Sequence, residues 1–397
     1  MDMKLIVQKK YKLNAKRAVK FVEKYKKAKL AIVCSSVKDD AVSLNLFEQL
    51  VKNLKIPFVG TRVSGTITPK EGYSEDAVAI AVLCGDFDVR VFHESIDFED
   101  QEKTINKIIP RLKGYDLCLT YSANYYKKNI FIDAILRRVQ YKFPDLQIWG
   151  MDSAPPPIVV TNDGIYENTM VFAVINGLDF SFDLDSGFRF DENEDSEFVI
   201  TRSDEYYIYE INGRNAVEEY SKIQHMRPYF INMLQNLSSR PDVVKLFKIL
   251  SRLNEVLYEG IMKISMRPLG TDLNGRAAEI LFALELDEKN KKYILTQSYK
   301  PRGSVLRRLS TSPESQLAVY DRLYKRFPKE KAMLISSCAM RPFWFNFDFE
   351  TLEKKLRRFK YPYLISHVFG EFGTYLPYGG IEQNVVHGGT VKALVFR

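Results

Sequence analysis

Near the C-terminal end, the stretch VFGEFGTY sets Glu371 between two glycines, directly after an apolar run. Glycines let a backbone come close and adopt unusual angles, so a carboxylate there can hold an ammonium group or collect several N–H donors. The same geometry also suits a carboxylate that only braces its own loop. Arg341 lies three residues past Cys338 at the end of another apolar run, and its planar guanidinium suits a bidentate grip on a carboxylate. A site with both groups would match an amino-acid-like zwitterion. Cys338, in SSCAMR, with His367 or His387 supplies the residue types of a thiol-dependent hydrolase, although spacing alone does not bring them within hydrogen-bond reach. His93 follows an apolar strand and His225 sits in a charged helical stretch, so both read as structural or exposed. A lone loop histidine is more often a hydrogen-bonded structural group than a metal or haem ligand.

Standard catalytic signatures are absent. The chain has no G-x-x-x-x-G-K-[ST], no G-x-G-x-x-G at a strand-to-helix turn, no G-x-S-x-G and no H-E-x-x-H. The glycines of VGTRVSGT lead into another strand instead of a helix.

The elements that must position these residues form a unit written three times: strand with a small polar end, helix, strand, glycine loop, long strand. The first copy runs KLAIVCSS, AVSLNLFEQLVKNLK, IPFVGTRVSG, DAVAIAVLCG. The second runs YDLCLTYSA, IFIDAILRRVQYKF, DLQIWGMDSAPPP, NTMVFAVING. The third runs KAMLISSCA, FDFETLEKKLRRFK, YPYLISHVFGEFG, GTVKALVFR. Nearly continuous apolar strands joined by a one-striped helix are β-α-β grammar, which lays the two strands parallel with their ends on one edge. Ligands collect outside the carboxyl ends of such strands, where Ser35, Ser36, Ser122, Asn124, Ser336 and Ser337 fall. Serines there can equally satisfy loop backbone groups.

Between the second and third copies, LDFSFDLDSGFRFDENEDSEFVITRSDEYYIYEING alternates as half-exposed antiparallel strands do, with an acidic turn at Asp191 to Glu197. NAVEEYSKI through NEVLYEGIMKI reads as helices interrupted near Pro228 and Pro241, and DEKNKK as a hairpin turn in a further sheet portion. The fold class is therefore α/β, mixed with α+β features, in two domains built on mixed sheets with repeated strand-helix-strand units. The division falls around Arg214, giving residues 1–213 and 214–397.

At 397 residues the chain can bury a large core without covalent staples. Its net charge of +8 is concentrated in KKYKLNAKRAVKFVEKYKKAK, which reads as a solvated helix face in preference to a nucleic-acid patch. Cys34, Cys84, Cys118 and Cys338 lie in apolar strands without C-x-x-C spacing and read as buried thiols of a reducing compartment. No stretch approaches the roughly 20 apolar residues of a membrane helix, and no apolar run follows the N-terminal charges. A cytoplasmic, soluble protein with neither membrane nor nucleic-acid partners is expected.

Taken in order, these blocks resemble the FIST sensory proteins, which pair FIST N-terminal and C-terminal domains. PFVGTRVSGTITPKEGYSEDAVAIAVL, carrying Gly60, Thr61 and Gly65, is similar to the family's glycine-loop segment. IWGMDSAPP, carrying Asp152, and VITRSDEYYIYEINGRNAVEEY resemble later N-terminal blocks. LISSCAMR, HVFGEFGTY and VVHGGTVKALVF, the last with His387 and Thr390, resemble the C-terminal blocks. Pro342, Gly388 and His367 depart from the family's preferred residues. The resemblance implies an intracellular, non-catalytic module that binds small ligands, amino acids among them, without a resident cofactor. On that reading the ligand-binding set is Ser36, Gly60, Thr61, Gly65, Ser122, Asn124, Asp152, Ser337, Cys338, Arg341, His367, Glu371, His387 and Thr390. With no output segment in the sequence, the signal is expected to pass through a separate signalling protein or a homo-oligomer. A haem-based nitric oxide sensor is the alternative that some family members suggest, and a thiol-dependent hydrolase is the third.

Overall fold

A computed structural model of the chain describes residues 1–124, 128–191, 197–238, 268–273, 277–281, 283–287, 289–296, 298–375, 383–387 and 389–397. Most of the expected acidic turn at Asp191 to Glu197, the helix expected in NEVLYEGIMKI, Pro241 and Gly388 lie outside these residues.

The three repeated units build three separate six-stranded sheets of a mixed α/β fold. In the first, Ala28–Ser35 runs parallel to Phe58–Arg62 and antiparallel to Ala77–Cys84, which in turn pairs with Asp2–Lys9. In the second, Leu117–Ala123 takes Gln147–Asp152 and Thr169–Asn176 as neighbours, with Asp88–Ser95 outermost. In the third, Ala332–Cys338 lies between Tyr363–Val368 and Val391–Phe396, with Phe180–Asp185 outermost.

The last two strands of every sheet come from another unit. After its glycine loop the first unit sends the hairpin Gly65–Thr68 and Gly72–Ser74 onto Tyr363–Val368 of the third sheet. The second unit sends Val159–Thr161 and Gly164–Tyr166 onto Phe58–Arg62 of the first. The third sends Glu371–Tyr375 and Gln383–His387 onto Gln147–Asp152 of the second. The exchange is cyclic, and it pairs a strand edge that each unit would otherwise leave open. This is why the phrase around VGTRVSG and SHVFGEFG occurs twice: it is the exit from one sheet into another. The second unit makes the same exit through the longer loop Ser153–Ile158.

Strand composition follows from this layering. Alternate residues of one strand point to opposite faces. Leu30, Ile32 and Cys34, Leu117, Leu119 and Tyr121, and Ala332 and Leu334 enter one shared central core. Their neighbours Ala31 and Val33, Cys118, and Met333 and Ile335 enter three outer cores beneath helices. Both faces are buried, so the strands read as continuous apolar runs.

Each unit also carries a helix ahead of its first strand that the repeat grammar does not include: Ala15–Glu23, Gln101–Leu112 and Pro313–Arg326. The first of these occupies the basic run, and it buries only Ala18, Val19 and Val22. Asn14, Asp100 and Ser312 cap the three N-termini by accepting a backbone N–H three residues on. The helices between the parallel strands are Asp40–Asn53, Asn129–Lys142 and, shorter than expected, Phe349–Leu356.

A fourth sheet is inserted into the third unit between Phe180–Asp185 and Pro313–Arg326. Its strands run from Arg189–Phe190 to Val305–Ser310 around a separate core containing Ile200, Ile211, Leu269 and Leu306. Arg214, the expected division, lies in the two-residue strand Arg214–Asn215 of this sheet. Leu286 and Ile294 pair across the expected DEKNKK hairpin, and the chain restarts a helix at Pro228–Ser238.

Candidate functional site

The register aligns the three strand ends. Ser35 pairs with Arg62, Ser122 with Asp152, and Ser337 with His367, in parallel ladders that stop one residue later at most. One position thus carries a guanidinium, a carboxyl and an imidazole in the three units, at the edge where ligands collect in such sheets.

The first end is satisfied internally. Arg62 donates to Asp40 at the start of the following helix and to the Val37 carbonyl at 3.4 Å. The Ser35 and Ser43 hydroxyls lie 2.8 Å apart. Ser36 Oγ donates to the Ser74 and Ala77 carbonyls, and Thr61 Oγ1 to Ile158 O at 3.3 Å, bracing the incoming hairpin. Gly60 admits Phe47, whose ring edge would lie 3.0 Å from an added Cβ, and Gly65 lies against the Tyr73 ring at 2.9 Å in the same sense. These contacts are packing and bracing.

The second end is only partly satisfied. Ser122 Oγ donates to Asp152 Oδ1 at 2.5 Å, and Asn124 Nδ2 donates to the same oxygen at 3.0 Å and to Ser122 Oγ at 2.8 Å. Asp152 Oδ2 and Asn124 Oδ1 are buried without a hydrogen-bond partner among the described residues. Burial raises the Asp152 carboxyl well above the usual carboxylate range, against the opposing pull of Ser122.

The third end gathers the remaining candidates. Glu371 opens the exchanged hairpin opposite Met151, beside Asp152, whose N–H donates to Gly370 O at 2.9 Å. Glu371 is fully buried. Its Oε2 accepts from Thr390 N at 3.2 Å and from Thr390 Oγ1 at 2.9 Å, while Oε1 has no partner among the described residues. Burial pushes this carboxyl up to about 8, so it is largely protonated at neutral pH. Cys338 N donates to Thr390 O at 3.1 Å, which brings Cys338, Thr390 and Glu371 into one cluster. Arg341 is also fully buried, in the short helix Arg341–Trp344. It donates through Nη1 to Gln316 and through Nη2 to Ser186 O at 3.1 Å and Gly389 O at 2.8 Å, leaving Nε without a partner among the described residues. A bidentate grip on a ligand carboxylate would require those protein acceptors to let go.

His367 lies on the strand face of Tyr363 and Ile365, which enter an outer core, whereas Glu371 is in register with Met151 of the central core. The His367 Nδ1 lies 3.4 Å from Cys338 O, its ring meets Tyr73 edge-on at 5.8 Å, and Nε2 is unpartnered among the described residues. Burial lowers it to about 4, so the ring is neutral. Burial likewise pushes the Cys338 thiol up to about 12, with Glu371 adding to the effect. The pair is thus an un-ionised thiol and an imidazole that contacts its carbonyl oxygen, without the activated thiolate that a thiol hydrolase needs. His387 lies opposite Glu371 in the hairpin, and its side chain is outside the described residues.

The sequence reading missed Gln316, Ser186 and Gly389, which hold Arg341 from distant segments. It also passed over Lys392, which is buried with its ammonium 4.8 Å from the Phe182 ring and its stem against Gly373. A lysine inside the apolar strand VKALVF was the available signal. Two open grooves lie away from this cluster, along Asp2–Lys9.

Fold and site together define an α/β protein of three exchanged units whose buried polar strand ends are satisfied to different degrees. Residues 29–214 match the family model of the FIST N domain. Over this stretch, a little under half of the chain, it is similar to FIST, a family of sensory domains. No curated protein matches the chain. Among the described residues no helix is long and apolar enough to cross a membrane, and no group of three or more His, Cys, Asp or Glu side chains is placed to hold a metal.

Proposed function

We propose that this chain is a cytoplasmic sensor of a small amine-bearing metabolite of the amino-acid class, read without catalysis or cofactor and reported to a separate signalling protein. The observation that carries this reading is the unpartnered Oε1 of fully buried Glu371, in a carboxyl held by Thr390 and kept neutral by burial. An arriving ammonium supplies the missing donor and the compensating charge, so the carboxyl ionises on binding and forms a charge-assisted pair in a low-dielectric site. Asp152, one strand away with its own unpartnered oxygen, offers a second acceptor, and Arg341 Nε offers a donor to a ligand carboxylate.

The test is a thermal-shift series on the full chain with amino acids, amines lacking a carboxylate, carboxylates lacking an amine, and haem, because a ligand that binds only the native state raises its midpoint. Amino acids should shift the midpoint and carboxylates should not. Glu371→Gln should weaken binding by about 1.5–3 kcal/mol, the scale of a hydrogen bond to a charged group. Calorimetry in buffers of different ionisation heat should show proton release on binding near pH 7. A flat series would overturn the reading, and a shift with haem accompanied by Soret absorbance would replace it with the haem-based one.

A further inference from the structure

The outermost strand of the first sheet, Asp2–Lys9, has a neighbour on one side only among the described residues. Along its other side runs an open groove of about 890 Å³, walled by the strand, by the helix Ala15–Glu23, by the exchanged-hairpin turn at Pro69 and by the segment at Tyr361. A second groove of about 570 Å³ continues it past Lys4 and Tyr25 toward Gly85. Leu5, Phe21, Tyr25 and Tyr361 give the first groove half-buried and buried apolar surface.

Its charge is one-sided. Arg17, Lys24, Lys26, Lys70, Lys331 and Lys360 line the two grooves, are exposed, and have no acidic partner among the described residues. The acidic residues at the grooves are Asp2, paired with Lys4, Asp86, paired with Lys27, and Glu71. Lysines on an edge strand often only guard it against aggregation. Here five of the six unmatched cations lie at or beyond the ends of the helix or on the segments facing the strand, and none lies on the strand itself, so guarding does not account for them.

The equivalent edges of the other units are finished differently. Register places His93 of the second unit where the first has Val7, and Tyr166 where the first has Ser74. His93 and Tyr166 stack at 4.1 Å, and Glu94 of that edge lies 2.8 Å from Lys107 and 3.8 Å from Arg111. On the third edge Asp183 pairs with Arg326 and Asp185 with Arg322. The first edge differs in that its filling side chains are small and that six cations around its grooves are without acidic partners among the described residues.

We propose that the Asp2–Lys9 edge is the docking site of an acidic, extended peptide segment of a partner protein, which adds to the first sheet as a further strand. Main-chain hydrogen bonds to the open edge would give affinity, alternate apolar side chains would enter the groove beside Leu5 and Tyr361, and carboxylates would meet the unmatched cations. This surface is distinct from the Glu371 cluster and stands whether or not that cluster binds a ligand.

The experiment uses the full chain and fluorescent peptides that match the eight residues of the strand and alternate Glu with Val or Ile. Fluorescence anisotropy at low and raised salt should show binding that weakens with salt. It should weaken at least about tenfold when a central residue of the peptide is replaced by proline, which removes a ladder donor, or when its glutamates become lysines. The double variant Lys70→Glu with Lys360→Glu, both exposed, should lose binding to the same extent while circular dichroism and thermal midpoint stay unchanged. Equal binding of the proline peptide would overturn strand addition. Tighter binding of a single-stranded oligonucleotide or of vesicles of anionic phospholipid would overturn the peptide as occupant, and no binding of any peptide would sink the proposal.

Discussion

The strand ends of the first and third units hold the same position in the same grammar, yet they end in opposite electrostatic states. At the first, Arg62 meets Asp40, whose carboxylate is half exposed, and donates to the Val37 carbonyl as well. At the third, Arg341 and Glu371 are fully buried and close in space, each with a polar atom left without a partner. Burying an unmade hydrogen bond is costly, and a fold that has solved the problem in one copy has the means to solve it in another. The contrast therefore points to the third end as the place where incomplete bonding serves a purpose, and substitutions can test it.

The largest effect should come from removing the guanidinium in each copy. Arg341→Met strips Gln316 Oε1, Ser186 O and Gly389 O of their donor inside the core, and at 1–3 kcal/mol for each unsatisfied buried group the loss should reach about 3 kcal/mol or more. Arg62→Met should cost only about 1 kcal/mol, because Asp40 turns to water once its partner is gone. Urea unfolding of the two variants measures both. Equal losses would mean that the two ends are energetically alike and would remove the contrast.

A second, smaller effect lies in the pH dependence. Glu371 is raised from an ordinary 4.5 to about 8 in the folded protein, so the folded state holds its proton more tightly than the unfolded state does. Its contribution to stability is complete below about 4.5 and is lost as pH rises through about 8. The thermal midpoint of the wild type should fall between pH 6 and pH 9 relative to that of Glu371→Gln, whose amide does not titrate. Parallel curves for the two proteins would show that Glu371 is ionised and paired already, and the argument for an ammonium ligand would fail with it.

Much of this architecture could be read from the chain, and the reason is local. Continuous apolar strands, one-striped helices and glycine loops are signals carried by neighbouring residues, and they located all three units and the strand ends Ser35, Ser122 and Ser337, whereas His367, read as a loop residue, lies in the strand Tyr363–Val368. The exchange of hairpins could not be read. VGTRVSGTIT dictates a strand, a loop and a second strand, but the partner of that second strand lies about 300 residues away, and pairing across such a separation leaves no periodic trace. Arg341 illustrates the same limit at the site. Its residue type suggested a ligand carboxylate, whereas its acceptors are two carbonyls and an amide supplied by Ser186, Gly389 and Gln316. The first leading helix reads from sequence as a solvated face and not as part of the repeated unit, because Ala15–Glu23 buries three residues in a run dominated by lysine, too narrow a stripe to stand out.

The finest discrimination concerns which side of the third strand end is poised. His367 and Glu371 flank the same glycine loop but face opposite layers, and their titrations displace stability in opposite directions. Burial lowers His367 from 6.5 to about 4, so its contribution is complete above about 6.5 and is lost as pH falls through about 4. His367→Gln, which keeps a polar group near Cys338 O, should make the acid side of the stability curve shallower by a few degrees in thermal midpoint at pH 4.5 and leave the alkaline side unchanged. Glu371→Gln should do the reverse. If either substitution moved both sides, the two groups would be coupled through the loop Val368–Gly370, and the third end would have to be treated as one titrating unit with a single ligand-responsive state.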